Sequence, residues 1–246
     1  MATVASFFRD WLDFFSLLFP PTCIGCGRNL GENEQDLCHS CLRQLLTERD
    51  AGHNDMLAII RMAHKVTVAD ATALLLFTPD GLVQKAVHAF KYCDRQALAI
   101  LLGHRMGRWL TETQRFSDVD LLLPVPLHPR RQSERGYNQS ELLCRGIADT
   151  FHRPVDTKHL IRTRYTQTQT KQTFSERQKN MVGAFAVEQP DTLRGKHVLL
   201  IDDVMTTGAT LACCCDALYE QVPDVRISVA VLSVVGHRQA EPPSKM

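Results

Sequence analysis

The chain has 246 residues, 44% hydrophobic and 22% charged, with a formal net charge of +1. That balance excludes a disordered or collagen-like polymer and gives no global pull toward nucleic acid or an anionic membrane, while the length holds one full domain and a smaller appendage. Charge is uneven locally: His128 to Lys179 carries eleven Lys/Arg against five Asp/Glu, the stretch to which an anionic ligand would be steered.

In chain order, the first predicted element is an amphipathic helix. Phe7, Trp11, Phe14, Phe15 and Leu18 recur at three- and four-residue spacing and form one apolar stripe. Arg9, Asp10 and Asp13 interrupt the run, which therefore has neither a clean signal-peptide core nor the roughly 18 uninterrupted residues of a membrane span. The stripe is expected to dock on the protein's own body, or on a partner or membrane surface, with any membrane association peripheral. With no secretory signal, the cysteines suit a reducing, cytoplasmic compartment better than a disulfide framework.

Two C-x-x-C knuckles follow, Cys23/Cys26 and Cys38/Cys41, enclosing a polar loop of eleven residues. Each knuckle places two thiolates on one tight turn, and two knuckles close a tetrahedron around Zn²⁺ with no open coordination position, so the predicted site is structural. The spacing between the pairs is shorter than the commonest ribbon spacing. His39 lies out of ligand register and reads as a surface residue. Cys213 to Cys215 form no knuckle, because adjacent helical residues point about 100° apart; they read as small packed hydrophobes.

Residues from about Leu42 to Ala69 read as helix and connector, with a weak boundary near Arg49 to Asp55. Three regions are expected: residues 1–55 with the apolar helix and the zinc-ribbon-like domain, 56–236 as the main domain, and 237–246 as a flexible tail. Within the main domain, strands are predicted at Ala71–Phe77, Val119–Val125, Ala184–Val187, Val198–Ile201 and Arg226–Val235. Helices are predicted at Gly81–Leu102, broken near Asp94, and at Ser140–Phe151 and Ala209–Gln221. Strands alternating with helices, several of them apolar almost throughout, argue for an α/β fold with a mainly parallel, doubly wound sheet.

The most informative stretch is HVLLIDDVMTTGATL, residues 197–211. In an open α/β sheet, ligands collect beyond the carboxyl ends of strands, and Asp202 and Asp203 are expected at such an end. The loop Val204 to Thr210 leads into a helix whose first amides are unpaired and whose dipole favours an anion. Gly208 lets the backbone approach closely, and Thr206, Thr207 and Thr210 add hydroxyls, so the loop reads as a phosphate cradle. The carboxylates repel phosphate and suit sugar hydroxyls or a cation riding with the ligand. A phosphorylated ribose fits both halves. No G-x-x-x-x-G-K-[ST] occurs in the chain, which argues against a P-loop nucleotidase, and the 44 residues after Asp202 are too few for a receiver domain.

VLLIDDVMTTGAT resembles the phosphoribosyl pyrophosphate (PRPP) loop of type I phosphoribosyltransferases. VHAFKY at Val87–Tyr92, PVPLHPRRQSERGYNQSELL at Pro124–Leu143 and RYTQTQTKQTFSERQKNMVGAF at Arg164–Phe185 narrow the resemblance to the ComF family of phosphoribosyltransferase-like proteins, whose pattern includes the cysteine knuckles. The resemblance runs from about Phe19 to Val235 and departs at TQTQTKQTFSERQ, where a Gly-Leu-Ser run is more usual. It implies a type I phosphoribosyltransferase fold with a small N-terminal zinc-ribbon-like domain. It further implies that Asp202 and Asp203 hold the ribose hydroxyls, with Mg²⁺ near PRPP, and that Val204, Met205, Thr206, Thr207, Gly208, Ala209 and Thr210 hold the 5′-phosphate. Pro126, Leu127 and His128, with Arg130, Arg131 and Arg135, correspond to the pyrophosphate loop. Arg164–Lys179 corresponds to a mobile hood, making Lys171, Arg177 and Lys179 pyrophosphate partners; Lys171, Arg177 and Arg135 are the candidate catalytic residues. Tyr137, Asn138 and Gln139 either shape the acceptor pocket or cap the following helix.

Two functions are implied. One is transfer of phosphoribosyl from PRPP to an unidentified acceptor. The other is handling of single-stranded DNA in natural transformation or DNA utilisation, alongside DNA-uptake proteins, with the ligand site retained. Stacking aromatics in the basic stretch are sparse, limited to Tyr137, Phe151, Tyr165 and Phe174, which weakens the second.

Overall fold

Four of the predicted apolar runs become the strands of one parallel sheet. The computed structural model describes residues 20–47, 51–164 and 183–236. The N-terminal apolar stripe, most of the expected hood with Lys171, Arg177 and Lys179, and the tail lie outside the described residues. The chain divides into two compact units, Met1–Thr47 and Glu48–Met246.

In the first unit both knuckles precede or open the helix α1 (His39–Thr47), which buries Cys41 and Leu45. Among the described residues the buried side chains here are Cys23, Asp36, Leu37, Cys38, Cys41 and Leu45, so cysteines make up half of them.

The second unit opens with α2 (Ala51–Ala63), and the expected boundary at residue 55 falls inside this helix. α2 is bound to β1 (Ala71–Phe77): Asn54 Nδ2 donates to Leu74 O at 3.3 Å, and Asp55 Oδ1 accepts from Thr72 Oγ1 at 2.6 Å. Arg115 compensates the buried Asp55 carboxylate from 2.6 Å and reaches Asp70 Oδ2 with its Nε at 2.9 Å, so the charge is paired rather than stranded. There follow α3 (Leu82–Tyr92), α4 (Gln96–Thr113), β2 (Leu121–Pro124), α5 (Pro129–Arg135), α6 (Gln139–Phe151), β3 (Leu160–Arg162), β4 (Phe185–Val187), β5 (His197–Met205), α7 (Ala209–Gln221) and β6 (Arg226–Val235).

The sheet order is β1-β6-β5-β2 with every neighbouring pair parallel, as the strand–helix alternation predicts. β5 and β6 are central and almost wholly buried. The antiparallel pair β3–β4 stands apart from it. α4 runs eleven residues past its predicted end at Leu102 because Gly103 is a packing position rather than a stop: a Cβ there would lie 2.4 Å from Leu143 O of α6, and one on Gly146 would lie 2.1 Å from Ile100 O.

β5 also exceeds its predicted end at Ile201. Its ladder with β6 continues through Asp202 opposite Val231 to Met205 opposite Val234, so the acids lie within the strand and not beyond it. The charges do not end the ladder because the backbone pairing is independent of them and each carboxylate has its own partners.

At the opposite end of β5, His197 is buried with Nε2 2.9 Å from Ser228 Oγ and Nδ1 3.1 Å from Asp118 Oδ1. Burial holds the imidazole pKa below its ordinary value against the opposing pull of Asp118. A histidine depressed in the folded state leaves the unfolded chain holding more protons, so its contribution is present above the unfolded pKa of about 6.5 and is lost as pH falls through the folded value. Denaturant melts are expected to show stability falling on acidification below about pH 6.5, with a flatter profile in His197→Gln. Coincident profiles would show that His197 carries no part of the dependence.

Candidate functional site

Neighbouring residues of a strand project to opposite faces, and β5 uses this to give its two acids different surroundings. Asp203 is buried, with Oδ1 2.8 Å from Nζ of Lys91 in the last turn of α3. Asp202 is half-buried; its Oδ1 accepts from Ser140 Oγ at 3.0 Å and from the Asp203 amide at 2.9 Å. Burial pushes the Asp202 pKa up to about 7, the Asp203 carboxylate pushes the same way, and Lys91 with the two hydrogen bonds opposes them.

Ser140 is positioned by the start of α6. Asn138 Oδ1 accepts from the Ser140 amide at 3.0 Å as the N-cap, while its Nδ2 donates to Val125 O at 3.0 Å and so ties the helix to the end of β2. Of the two readings of Tyr137-Asn138-Gln139, capping describes Asn138. The Tyr137 hydroxyl donates to Phe90 O, joining this turn to α3.

Beyond Met205 the chain turns through exposed Thr206 and Thr207 to Gly208, whose φ is +78°. Gly208 is the N-cap of α7, and a Cβ on it would lie 3.4 Å from Met62 Sδ and 3.5 Å from Arg61 O. The Ala209 amide donates to Thr207 Oγ1 at 3.4 Å. Beneath the turn, Arg61 donates to Met205 O at 3.1 Å and to Val235 O, clamping the carboxyl ends of β5 and β6. The open part of the expected cradle is therefore Thr206–Gly208 and the start of α7. Val204 and Met205 belong to the strand, with the Met205 side chain in the core.

β2 ends at Pro124, and Val125 still donates to Ile201 O at 2.9 Å, which keeps the next residues beside β5. Pro126 and Leu127 are half-buried. His128 Nδ1 accepts from the Arg130 amide at 3.2 Å and caps α5, with Pro129 at the first helical position. Arg130 lies 3.4 Å from Glu134 on the same short helix. Arg131 and Arg162 of β3 are close enough for their charges to interact; burial, then Arg131, lowers the Arg162 pKa, and Asp202 raises it. Arg135 turns to other partners: Nη1 reaches Gln139 Oε1 at 3.1 Å and the guanidinium sits 5.1 Å from the Tyr92 ring centroid.

The structure thus brings Lys91 and Ser140 against the acid pair, with Arg162 within electrostatic reach of Asp202 and Arg131 within reach of Arg162. Lys91 stands in the quoted VHAFKY stretch and Ser140 in PVPLHPRRQSERGYNQSELL, so both were visible without an assigned role. Arg162 sits on a three-residue strand with no periodic signal of its own.

The sulfur atoms of Cys23, Cys26, Cys38 and Cys41 all lie within 4.8 Å of one another. The Cys38 amide donates to Cys23 Sγ at 3.3 Å and the Cys41 amide to Cys38 Sγ at 3.4 Å; the Cys41 amide is the main reason the Cys38 thiol is drawn down to about 6. Four converging sulfurs, with no open position, suit a closed structural zinc centre. His39 stays outside this set and pairs with Glu34 Oε1 at 2.8 Å.

Comparison with known proteins matches residues 14–51 to a double zinc ribbon domain and residues 146–246 to a phosphoribosyl transferase domain. The chain is 27% identical to competence protein F of Haemophilus influenzae over 77% of its own length and 86% of that protein. It is 33% identical to DNA utilization protein YhgH of Shigella flexneri over 60% of its own length, spanning 62% of that relative. Competence protein ComFC of Bacillus subtilis is 35% identical over 37% of this chain and 35% of its own. Among the described residues no helix is long and apolar enough to cross a membrane.

Proposed function

We propose that this chain, which carries matches to a double zinc ribbon and a phosphoribosyl transferase domain and is similar to the competence proteins F and ComFC, binds PRPP in its second unit and transfers the phosphoribosyl group to an acceptor. The observation that carries this reading is the β5–α7 junction, where two carboxylates with separate partners sit beside a hydroxyl-rich turn opening onto a helix N-terminus. Asp202 and Asp203 would accept the ribose hydroxyls, and Thr206–Gly208 with the first amides of α7 would hold the 5′-phosphate. Pro126–His128, Arg131 and Arg162 would face the pyrophosphate, joined by Lys171 and Arg177 from outside the described residues.

In the transfer, the bond from C1 to the pyrophosphate oxygen breaks, the electron pair leaves with pyrophosphate, and the acceptor's lone pair forms the new bond to C1. Such a step depends on neutralising the leaving group and excluding water more than on a strong base. Mg²⁺ would enter with PRPP, carried by the hard phosphate oxygens of the ligand itself.

A second reading rests on the relatives named for competence and DNA utilization: handling of single-stranded DNA in the cytoplasm, with the sugar-phosphate site retained. One comparison separates the two. Asp203→Asn in the full zinc-loaded chain is expected to weaken PRPP–Mg²⁺ binding in calorimetry by about tenfold or more and to suppress pyrophosphate release, leaving salt-dependent oligonucleotide binding unchanged. Absence of a PRPP binding signal in the wild-type protein overturns the first reading.

A further inference from the structure

We infer that Lys91 supplies from within the protein the positive charge that a divalent cation would otherwise bring to the acid pair, so that the sugar-phosphate end of the ligand binds without metal. The inference deepens the proposed ribose-phosphate reading and rests on it.

Two adjacent carboxylates beside a phosphate repel one another and the ligand, and in a partly buried site solvent screens that repulsion weakly. The missing positive charge has two sources, a metal or the protein. Lys91 Nζ is 2.8 Å from Asp203 Oδ1, with the lysine and aspartate side chains 20% and 10% exposed. This is a sheltered pair rather than a surface bridge that water would dissolve.

The ammonium is also held in place. α3 buries Val83, Ala86, Val87, Ala89 and Phe90, and Phe90 O accepts the Tyr137 hydroxyl, so the last turn carrying Lys91 is fastened to the turn that positions Ser140. An ammonium has three donor hydrogens, so Lys91 can hold Asp203 and a ribose hydroxyl together. A divalent ion bound directly to Asp203 would sit within a few ångströms of this ammonium and be repelled by it. Mg²⁺ arriving with PRPP is then assigned to the pyrophosphate, away from the acid pair.

Ribose 5-phosphate, which keeps the diol and the phosphate but lacks the pyrophosphate, is the probe. It is titrated calorimetrically into the full zinc-loaded chain, with Mg²⁺ and in buffer freed of Mg²⁺ by resin treatment. Wild-type affinity is expected to agree between the two buffers within about twofold. Lys91→Met keeps the stem and removes the charge; it is expected to lose about ten- to a hundredfold without Mg²⁺ and to regain most of it when Mg²⁺ is added, while Lys91→Arg stays near wild type. A merely structural lysine would show no Mg²⁺ rescue. Wild-type binding that requires Mg²⁺, or a natively folded Lys91→Met protein that Mg²⁺ fails to rescue, overturns the inference; Lys91→Gln serves if the methionine protein misfolds. A wild-type protein that binds ribose 5-phosphate in neither buffer overturns the underlying ribose-phosphate reading, and the inference falls with it.

Discussion

Replacing Cys38 with serine is expected to abolish zinc binding and unfold the Pro20–Thr47 unit. Cys38 is fully buried, its sulfur accepts the Cys41 amide, and its own amide donates to Cys23 Sγ, so it sits at the centre of the ligand set. Apart from the cysteines, the buried side chains among the described residues of this unit are Asp36, Leu37 and Leu45. Domains below about 40 residues rarely fold without a metal, a disulfide or a partner, and here the cysteines are reduced. Structural zinc contributes about 10–16 kcal/mol in comparable small motifs, far more than three buried side chains can replace. Metal analysis of the wild-type chain is expected to find bound zinc that Cys38→Ser lacks, and limited proteolysis should cut the variant between residues 20 and 47. The second unit, with its own sheet and core, is expected to keep its melting transition. Undiminished zinc in Cys38→Ser would show that the four sulfurs are not a metal centre.

The second large effect is expected at Gly208. With φ at +78°, this position lies in the left-handed region, where a β-branched side chain is most disfavoured, although its Cβ would only come into ordinary contact with Met62 Sδ and Arg61 O. Holding that conformation costs about 1–3 kcal/mol, and the less costly response is for the turn to rotate. Rotation re-aims the first amides of α7, which are the donors an anion needs. Gly208→Val is therefore expected to weaken PRPP binding by about a hundredfold while circular dichroism stays native, and Gly208→Asn, which tolerates this backbone region, to fall within about tenfold of wild type. Wild-type affinity in Gly208→Val would show that the phosphate does not rest on this turn.

Local pattern sufficed where an element's signal is contained in its own residues. β1, α7 and β6 run over the predicted Ala71–Phe77, Ala209–Gln221 and Arg226–Val235, because each is an apolar run or stripe bounded by turn residues. The four zinc-site cysteines are of the same kind, since C-x-x-C spacing is itself the geometry of a knuckle. α5 escaped because it buries no residue and so has no apolar face to read, and β3 because only Leu160 of its three residues is buried and a charged Arg162 closes it.

The electrostatics of the acid pair are of the other kind. Lys91 and Asp203 are 112 positions apart, and Ser140 and Asp202 are 62 apart. Their meeting depends on the β1-β6-β5-β2 order and on where α3 and α6 return over the sheet. Residue type and spacing alone determined that this chain holds a metal knuckle and a parallel sheet with an acid pair followed by a hydroxyl-rich turn. Only the tertiary structure decided which charges answer those acids, because charge pairing is set by distance in space, and sequence separation carries almost no information about distance once the chain has crossed a sheet.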